Sequence, residues 1–317
     1  MTAEPLPAAG SKASSQLVPY LALTVGVFAL TFSSFFIRWA QAPGPVTSFY
    51  RMAIATLALA PIFLRRAGAL RKINKRWLLL PVLAGAFTAC DHSLWSTAIH
   101  DTTVANATLM NNTAPLWVAL FAWLVFRERL RGIFWLGLAL TMAGATIVLG
   151  DNLLRHPSLS RGDLLAVVSG IFYAAYFLTT QRGRSFLDTL PYIWIVGLSA
   201  SVALLGITQS YGMPLTGYSA QTYLAFLGAG LFSQVVGYFA VGYALGHLPA
   251  SIVAPSMIAQ PVITSLLAIP LLGEALQTGT WLGGIITLAG IYLVNRSRET
   301  AAGHKRAQST AAPEILP

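Results

Sequence analysis

Apolar stretches of about twenty residues follow one another along almost the whole chain, separated by short polar breaks. A bilayer's hydrocarbon core is about 30 Å thick and is crossed by about 20 helical residues rising about 1.5 Å each. Stretches of that kind lie at 18–37, 46–64, 77–99, 104–126, 132–150, 163–181, 191–208, 222–245, 250–272 and 279–295. The polar breaks at 99–104 and 245–250 are short, so those two joins carry the weakest boundary signal. The first stretch is longer than a signal-peptide core and is followed by no small-residue cleavage site, so it is expected to stay in the mature protein. The pattern predicts an all-α polytopic membrane protein with ten transmembrane helices.

A second period runs over the first. Pro45, Pro115, Glu128, Trp135, Gly137 and Gly144 recur 146 residues later as Pro191, Pro261, Glu274, Trp281, Gly283 and Gly290. Each copy holds five helices, and an odd number places the second copy upside down relative to the first. The expected architecture is therefore two inverted five-helix repeats, at 18–150 and 163–296, joined by an outer linker at 151–162. Segments 1–17 and 297–317, rich in small and polar residues, read as disordered tails.

Composition agrees with lipid as the solvent, since 56% of the 317 residues are hydrophobic and 9% charged. The net charge of +10 does not form a phosphate-reading face, because the basic residues sit between and beside the apolar runs. Nucleic acid is excluded as a partner on that pattern. With the amino terminus inside, sixteen Lys and Arg fall in inner segments and three (Arg38, Arg155, Arg161) in outer ones. That bias predicts that both termini are cytoplasmic. The single cysteine, Cys90, falls within a helix and cannot form an internal disulfide.

Several stretches resemble the drug/metabolite transporter superfamily, and within it the ten-helix EamA-type permeases. They are Phe49-Tyr50-Arg51-Met52-Ala53, Ala98-Ile99 through Ala105, Pro115, Glu128-Arg129-Leu130, and Gly137 with Gly144. The second copy supplies Ala244-Leu245, Pro261, Glu274-Ala275-Leu276, Gly283 and Gly290. The resemblance spans residues 18 to 296, and its specificity lies in the order and equal spacing of these marks in both halves. It implies a carrier for small metabolites, amino acids among them, with a central cavity between the halves, in the inner membrane of a bacterium. Small four-helix multidrug members of the superfamily carry a Glu in their first helix. The first helix here has no acid, which removes cation-for-proton exchange by that residue.

Ionisable groups inside a bilayer are costly and point to function. Asp91 lies about 12 Å below the outer boundary, Arg51 about 8 Å, and Asn111 and Asn112 about 11–12 Å, so they share one layer of the first repeat. His92 is in the same layer, rotated by about 100° from Asp91. Two readings stay open. Asp91 is a proton acceptor with His92 tuning it or touching substrate, or an Arg51–Asp91 ion pair merely ties helices two, three and four together. The second copy carries Gly197, Gly237 and Tyr238 where the first has Arg51, Asp91 and His92. Its own polar candidates are Gln234, Tyr238 and Gln260, near mid-membrane, with simple interhelical hydrogen bonding as the alternative. Trp95 lies one turn from Asp91, and Tyr173 and Tyr176 are three apart on helix six. These rings could line a cavity for an apolar or aromatic body, or pack as core.

Pro115, Pro255 and Pro261 are expected to interrupt helices four and nine and make them candidate rocking elements, or simple bends. Glu128 and Glu274 read as capping and turn anchors at the membrane boundary. Asp91, His92, His100 and Asp101 do not have metal-ligand spacing, and no phosphate loop, HExxH or nucleophile elbow occurs. No metal, cofactor or catalysis is expected. The reading is a carrier that exports a small organic metabolite, an amino acid or a related amphipathic compound, by alternating access. Its partners are the bilayer, the metabolite and, as a candidate coupling ion, the proton. A structural or regulatory subunit and a membrane-embedded hydrolase are the alternatives, and oligomeric state is left open.

Overall fold

The computed structural model describes residues 10–66, 75–101, 110–125, 127, 130–149, 160–260, 262–263, 266–267 and 278–310. Every regular element among them is helical. In chain order these are α1 (Gly10–Ala40), α2 (Gly44–Arg66), and α3 (Leu79–Asp101) with a 3₁₀ lead-in at Lys75–Leu78. Then come α4 (Ala114–Leu124), α5 (Gly132–Leu149), α6 (Arg161–Gly183) and α7 (Thr189–Ser210). Last are α8 (Ala220–Leu245), α9 (Ala250–Met257) and α10 (Thr278–Thr310). Among the described residues, six helices are long and apolar enough to cross a membrane: α1, α2, α3 with its lead-in, α6, α7 and α8. Helices α4 and α5 are shorter apolar elements.

Local chemistry explains several boundaries. Ser160 and Asp163 form a reciprocal capping box that opens α6, with Asp163 N donating to Ser160 Oγ at 3.1 Å and Ser160 N donating to Asp163 Oδ2 at 2.8 Å. Ser219 caps α8 by accepting from Thr222 N. Pro115 marks an interruption of the fourth predicted helix, as the sequence suggested: Met110 and Asn111 are helical, Asn112 and Thr113 form a turn, and the helix restarts at Ala114. It sits in the first turn of α4, where its missing N–H would have had no partner. Pro255 lies inside α9 as expected, while Pro261, Glu128 and Glu274 fall outside the described residues. Helix α1 already begins at Gly10 and α10 continues to Thr310, so parts of both tails read as disordered are helical. The stretch beyond Asn295 is rich in Arg, Glu, Ala and Lys, which are good helix formers that can extend an anchored helix.

Helix pairing ties the two halves of the chain together. Helix α3 packs on α6 and α7, α2 on α7, α1 on α8, and α5 most extensively on α10. The α5–α10 seam is built on glycine. A Cβ on Gly137 would lie 2.9 Å from Gly290 O, and one on Gly144 would lie 2.4 Å from Thr287 N and 2.6 Å from Gly283 O. Rising numbers on one helix thus meet falling numbers on the other, so the pair is antiparallel. Thr141 and Thr287 each return a hydroxyl hydrogen bond of 2.8 Å to the carbonyl four residues back, keeping their polar atoms satisfied inside the seam. Small residues let the backbones approach this closely, which is how helices associate in lipid without a hydrophobic driving force.

Aromatic clusters join the halves at both ends of the bundle. Trp77 stacks on Phe186 with centroids 3.6 Å apart, flanked by Arg76 and Arg182, and Phe63 stacks on Trp194 at 3.9 Å. At the opposite end Tyr50 stacks on Phe226 at 4.5 Å and donates its hydroxyl to Leu215 O at 2.5 Å.

Gly144→Leu is expected to lower stability by about 1–3 kcal/mol through overpacking. Gly132→Ala, where a Cβ meets nothing within 4 Å, should stay within about 0.5 kcal/mol. Thermal unfolding of the two variants in detergent checks this.

Candidate functional site

Five helices and the turn before α4 place polar side chains around one buried point. Arg51, on α2 one residue past Tyr50, is only 6% exposed. Its Nε donates to Gln234 Oε1 on α8 at 2.9 Å and its Nη1 to Ser33 Oγ on α1 at 2.9 Å. Its Nη2 lies 3.5 Å from His92 Nε2 on α3, and its Cζ stands 5.2 Å from the centre of the Tyr238 ring. That ring face adds a cation–π attraction in a site shielded from water. All of these direct partners are neutral groups or an imidazole.

The carboxylate of Asp91 is held separately. Its Oδ1 accepts from Ser169 Oγ on α6 at 2.7 Å and from Asn111 Nδ2 at 3.0 Å, and Asn111 also donates to Ser169 Oγ at 2.6 Å. Arg51 and Asp91 do not touch, so the direct ion pair considered from sequence is absent. His92 approaches both, its Nε2 lying 3.5 Å from Arg51 Nη2 and 3.9 Å from Asp91 Oδ2, so those two atoms are at most about 7.4 Å apart. Within that separation and at an effective dielectric near 20, the attraction is at least about 2 kcal/mol. Charge holds the site together only in part, and the neutral donors and acceptors supply the rest.

Two polar atoms in this region are buried without a hydrogen-bond partner, His92 Nδ1 and Tyr176 Oη. Leaving such a group unmade costs about 1–3 kcal/mol, and each instance calls for a cause. The Tyr176 ring is 5.8 Å from that of Tyr238 and 6.3 Å from that of Tyr173, so three tyrosines form one wall beside the guanidinium.

The second half contributes through an irregular helix. Residues Ala229–Tyr238 of α8 adopt a ten-residue π-helix, and both Gln234 and Tyr238 belong to it. Such wider turns are rare and concentrate at functional sites. This segment packs closely on α1 and α2, where Gly230 faces Ile54 and Gly237 faces Leu30 with no room for a Cβ. The same close approach brings Gln234 to Arg51.

Of the residues singled out from sequence, Arg51, Asp91, His92, Asn111, Tyr173, Tyr176, Gln234 and Tyr238 meet in this network. Trp95 packs instead with Ala98, Ala166, Met110 and Leu165, beside the site. Asn112 is half-buried in the turn before α4 and Gln260 half-buried just past α9, and neither joins the network among the described residues. Ser33 and Ser169 were missed. Ser169 did carry a signal, since it stands four and seven residues before Tyr173 and Tyr176 and so shares their helix face. Ser33 had none. No group of three His, Cys, Asp or Glu among the described residues could hold a metal ion.

Long apolar helices around a buried polar centre define a multi-pass membrane protein. The model of the EamA-like transporter family matches the chain twice, over residues 17–150 and 160–296, and the chain belongs to that family. It is 29% identical over 286 residues to an uncharacterized transporter of Archaeoglobus fulgidus, covering 86% of this chain and 95% of the relative. It is also 29% identical over 224 residues to the uncharacterized inner membrane transporter YedA of Escherichia coli K12, covering 67% and 66% of the two chains. A solved crystal structure superposes with a TM-score of 0.70 over 89% of this chain and 97% of its own, at 18% identity, so the two share a fold.

Gln234→Leu removes the acceptor of Arg51 Nε and is expected to destabilise the protein by about 1–3 kcal/mol. Gln260→Leu should change stability by less than about 0.5 kcal/mol. Unfolding of both in mixed micelles distinguishes them.

Proposed function

We propose that this protein is a ten-helix carrier made of two inverted five-helix repeats, 18–150 and 163–296, joined by an outer linker at 151–162. It moves a small organic metabolite, an amino acid or a related amphipathic compound, outward by alternating access. It resides in a bacterial inner membrane with both termini, 1–17 and 297–317, in the cytoplasm. The observation that carries this reading is that one buried polar network draws on both halves. Arg51 and Asp91 come from the first, and Gln234 and Tyr238, with Ser169, from the second. A solute held there touches both halves at once, and rocking one half against the other would expose it to each side in turn.

Other features support the same reading. The seam between α5 and α10 pairs Gly137 with Gly290 and Gly144 with Gly283, so each glycine meets the counterpart of the other, since the 146-residue period relates Gly137 to Gly283 and Gly144 to Gly290. A twofold axis relating the repeats produces that exchange. The sixteen-to-three excess of Lys and Arg supports cytoplasmic termini. The similarity to the E. coli inner membrane transporter YedA supports the location. The tyrosine wall beside Arg51 suits a solute with an anionic end and an apolar body. Trp95, Asn112 and Gln260 are kept as outer contacts that a different tilt of the halves would bring closer. Asp91, with His92 beside it, is the proposed proton-coupling pair, since a carboxyl that accepts from two neutral donors can exchange a proton without losing its place.

Purified protein in liposomes loaded with a mixed metabolite pool is expected to release a chemically related subset faster than protein-free liposomes, read by mass spectrometry. An inward proton gradient should accelerate that release, and Asp91→Asn should abolish the acceleration while the protein remains folded. Release of nothing from correctly inserted protein overturns the transport reading. An unchanged gradient response in Asp91→Asn overturns the coupling role alone.

A further inference from the structure

At one end of the α5–α10 seam the halves leave open space between basic side chains. Arg131, just before α5, and Arg296, on α10, face one cleft of about 560 Å³ beside Ile133. Arg296 also borders a second cleft, of about 430 Å³, together with Tyr20 of α1, Tyr292 and Asn295. The two clefts therefore meet at one guanidinium, and no acidic side chain lines either of them. Asn295 carries a further signal, because its Oδ1 is buried without a hydrogen-bond partner. An acceptor left unmade in this way calls for a donor from outside the fold. Gly132 opens α5, and a Cβ placed on it meets nothing within 4 Å, so the start of that helix is open to the first cleft as well.

Resting on the reading that this end of the bundle is cytoplasmic, we propose that the paired clefts hold the headgroup of an anionic inner-leaflet phospholipid. Its phosphodiester sits between Arg131 and Arg296, one guanidinium from each half, and a headgroup hydroxyl donates to Asn295 Oδ1 once a half-turn of the amide brings that oxygen into the cleft. Guanidinium forks match phosphate oxygens, and basic pockets between membrane helices on the cytoplasmic side take lipid headgroups. Tyr20 and Tyr292 border the second cleft at the level where aromatic side chains meet headgroups. The acyl chains have a track to follow, since Ile133 and Leu136 on α5 and Leu288 and Tyr292 on α10 are exposed, each pair on one face of its helix. A soluble phosphate gains nothing from that apolar track, which favours a lipid. The general excess of basic residues on the inner side accounts for arginines at this depth. It does not account for two clefts converging on one of them beside an unsatisfied amide. A headgroup bound by both arginines clips α5 to α10 at the cytoplasmic end of their seam.

Native mass spectrometry of the delipidated full-length protein in detergent, titrated with one lipid at a time, tests this. Dioleoyl phosphatidylglycerol should bind at least about fivefold more tightly than dioleoyl phosphatidylcholine, which has no net charge. It should bind at least about threefold more tightly than dioleoyl phosphatidylmethanol, an anionic diester without a hydroxyl. Arg131→Gln combined with Arg296→Gln should abolish the first preference, and Asn295→Ala the second alone. Arg65→Gln, an exposed inner arginine that lines neither cleft, should change neither. Equal binding of phosphatidylglycerol and phosphatidylcholine by the wild type overturns the proposal and does not depend on any variant folding. So does a loss of preference in Arg65→Gln as large as in the double variant, which would mark a diffuse charge effect. Displacement of phosphatidylglycerol by an equimolar amount of sn-glycerol 3-phosphate assigns the clefts to a soluble phosphate and overturns the lipid. A carboxy-terminal reporter that fluoresces only in the cytoplasm tests the orientation separately. Selective lipid binding with a dark reporter on correctly inserted protein keeps the headgroup site and overturns its placement in the inner leaflet alone.

Discussion

A guanidinium buried in a bilayer is the constraint on which the rest of this structure depends. Arg51 cannot shed its proton, so its charge has to be solvated by the protein. The chain meets that need with four groups from three other helices: Ser33 of α1, His92 of α3, and Gln234 and Tyr238 of α8. Each helix that supplies a partner is thereby fixed in rotation and depth. The π-helical form of α8 over Ala229–Tyr238, which carries both Gln234 and Tyr238, belongs to the same solution. The requirement of one side chain therefore reaches across the interface between the halves.

The opposite charge is treated differently. Asp91 is satisfied by a hydroxyl and an amide and stands apart from Arg51, although the two sit in one layer. A direct pair would have offset much of the desolvation of both ions and locked α2 to α3. Keeping them apart leaves each charge partly uncompensated. Each charge is therefore held chiefly by neutral donors and acceptors.

Around this centre the packing divides into rigid and separable contacts. The α5–α10 seam, with backbones almost touching through Gly137, Gly144, Gly283 and Gly290, has no slack and holds the halves at one edge. At the two ends of the bundle the halves meet through flat aromatic stacks, Trp77 on Phe186 at one and Tyr50 on Phe226 at the other. Stacked rings can part along their faces, with polar contacts crossing beside them from Tyr50 to Leu215 O and from Trp194 Nε1 to Thr56 O at 3.0 Å.

Much of this was legible from residue order. Apolar runs about one bilayer long, and a repeated set of Pro, Gly, Trp and Glu marks, determined the helical membrane fold, because lipid demands internally satisfied backbone and therefore helices of that length. Depth arithmetic along straight helices also placed Arg51, Asp91, His92 and Asn111 in one layer. Rotation about a helix axis and lateral packing were not legible, since neither leaves a periodic trace in the sequence. Tertiary structure alone decided that Arg51 and Asp91 make no direct ion pair and that His92 lies near both. It alone brought Ser33 and Ser169 into the network, left Trp95 and Gln260 outside it, and widened α8 so that Gln234 reaches across to Arg51. Such contacts depend on where neighbouring helices stand to within an ångström, and one chain's order of residues encodes that only through the folded whole.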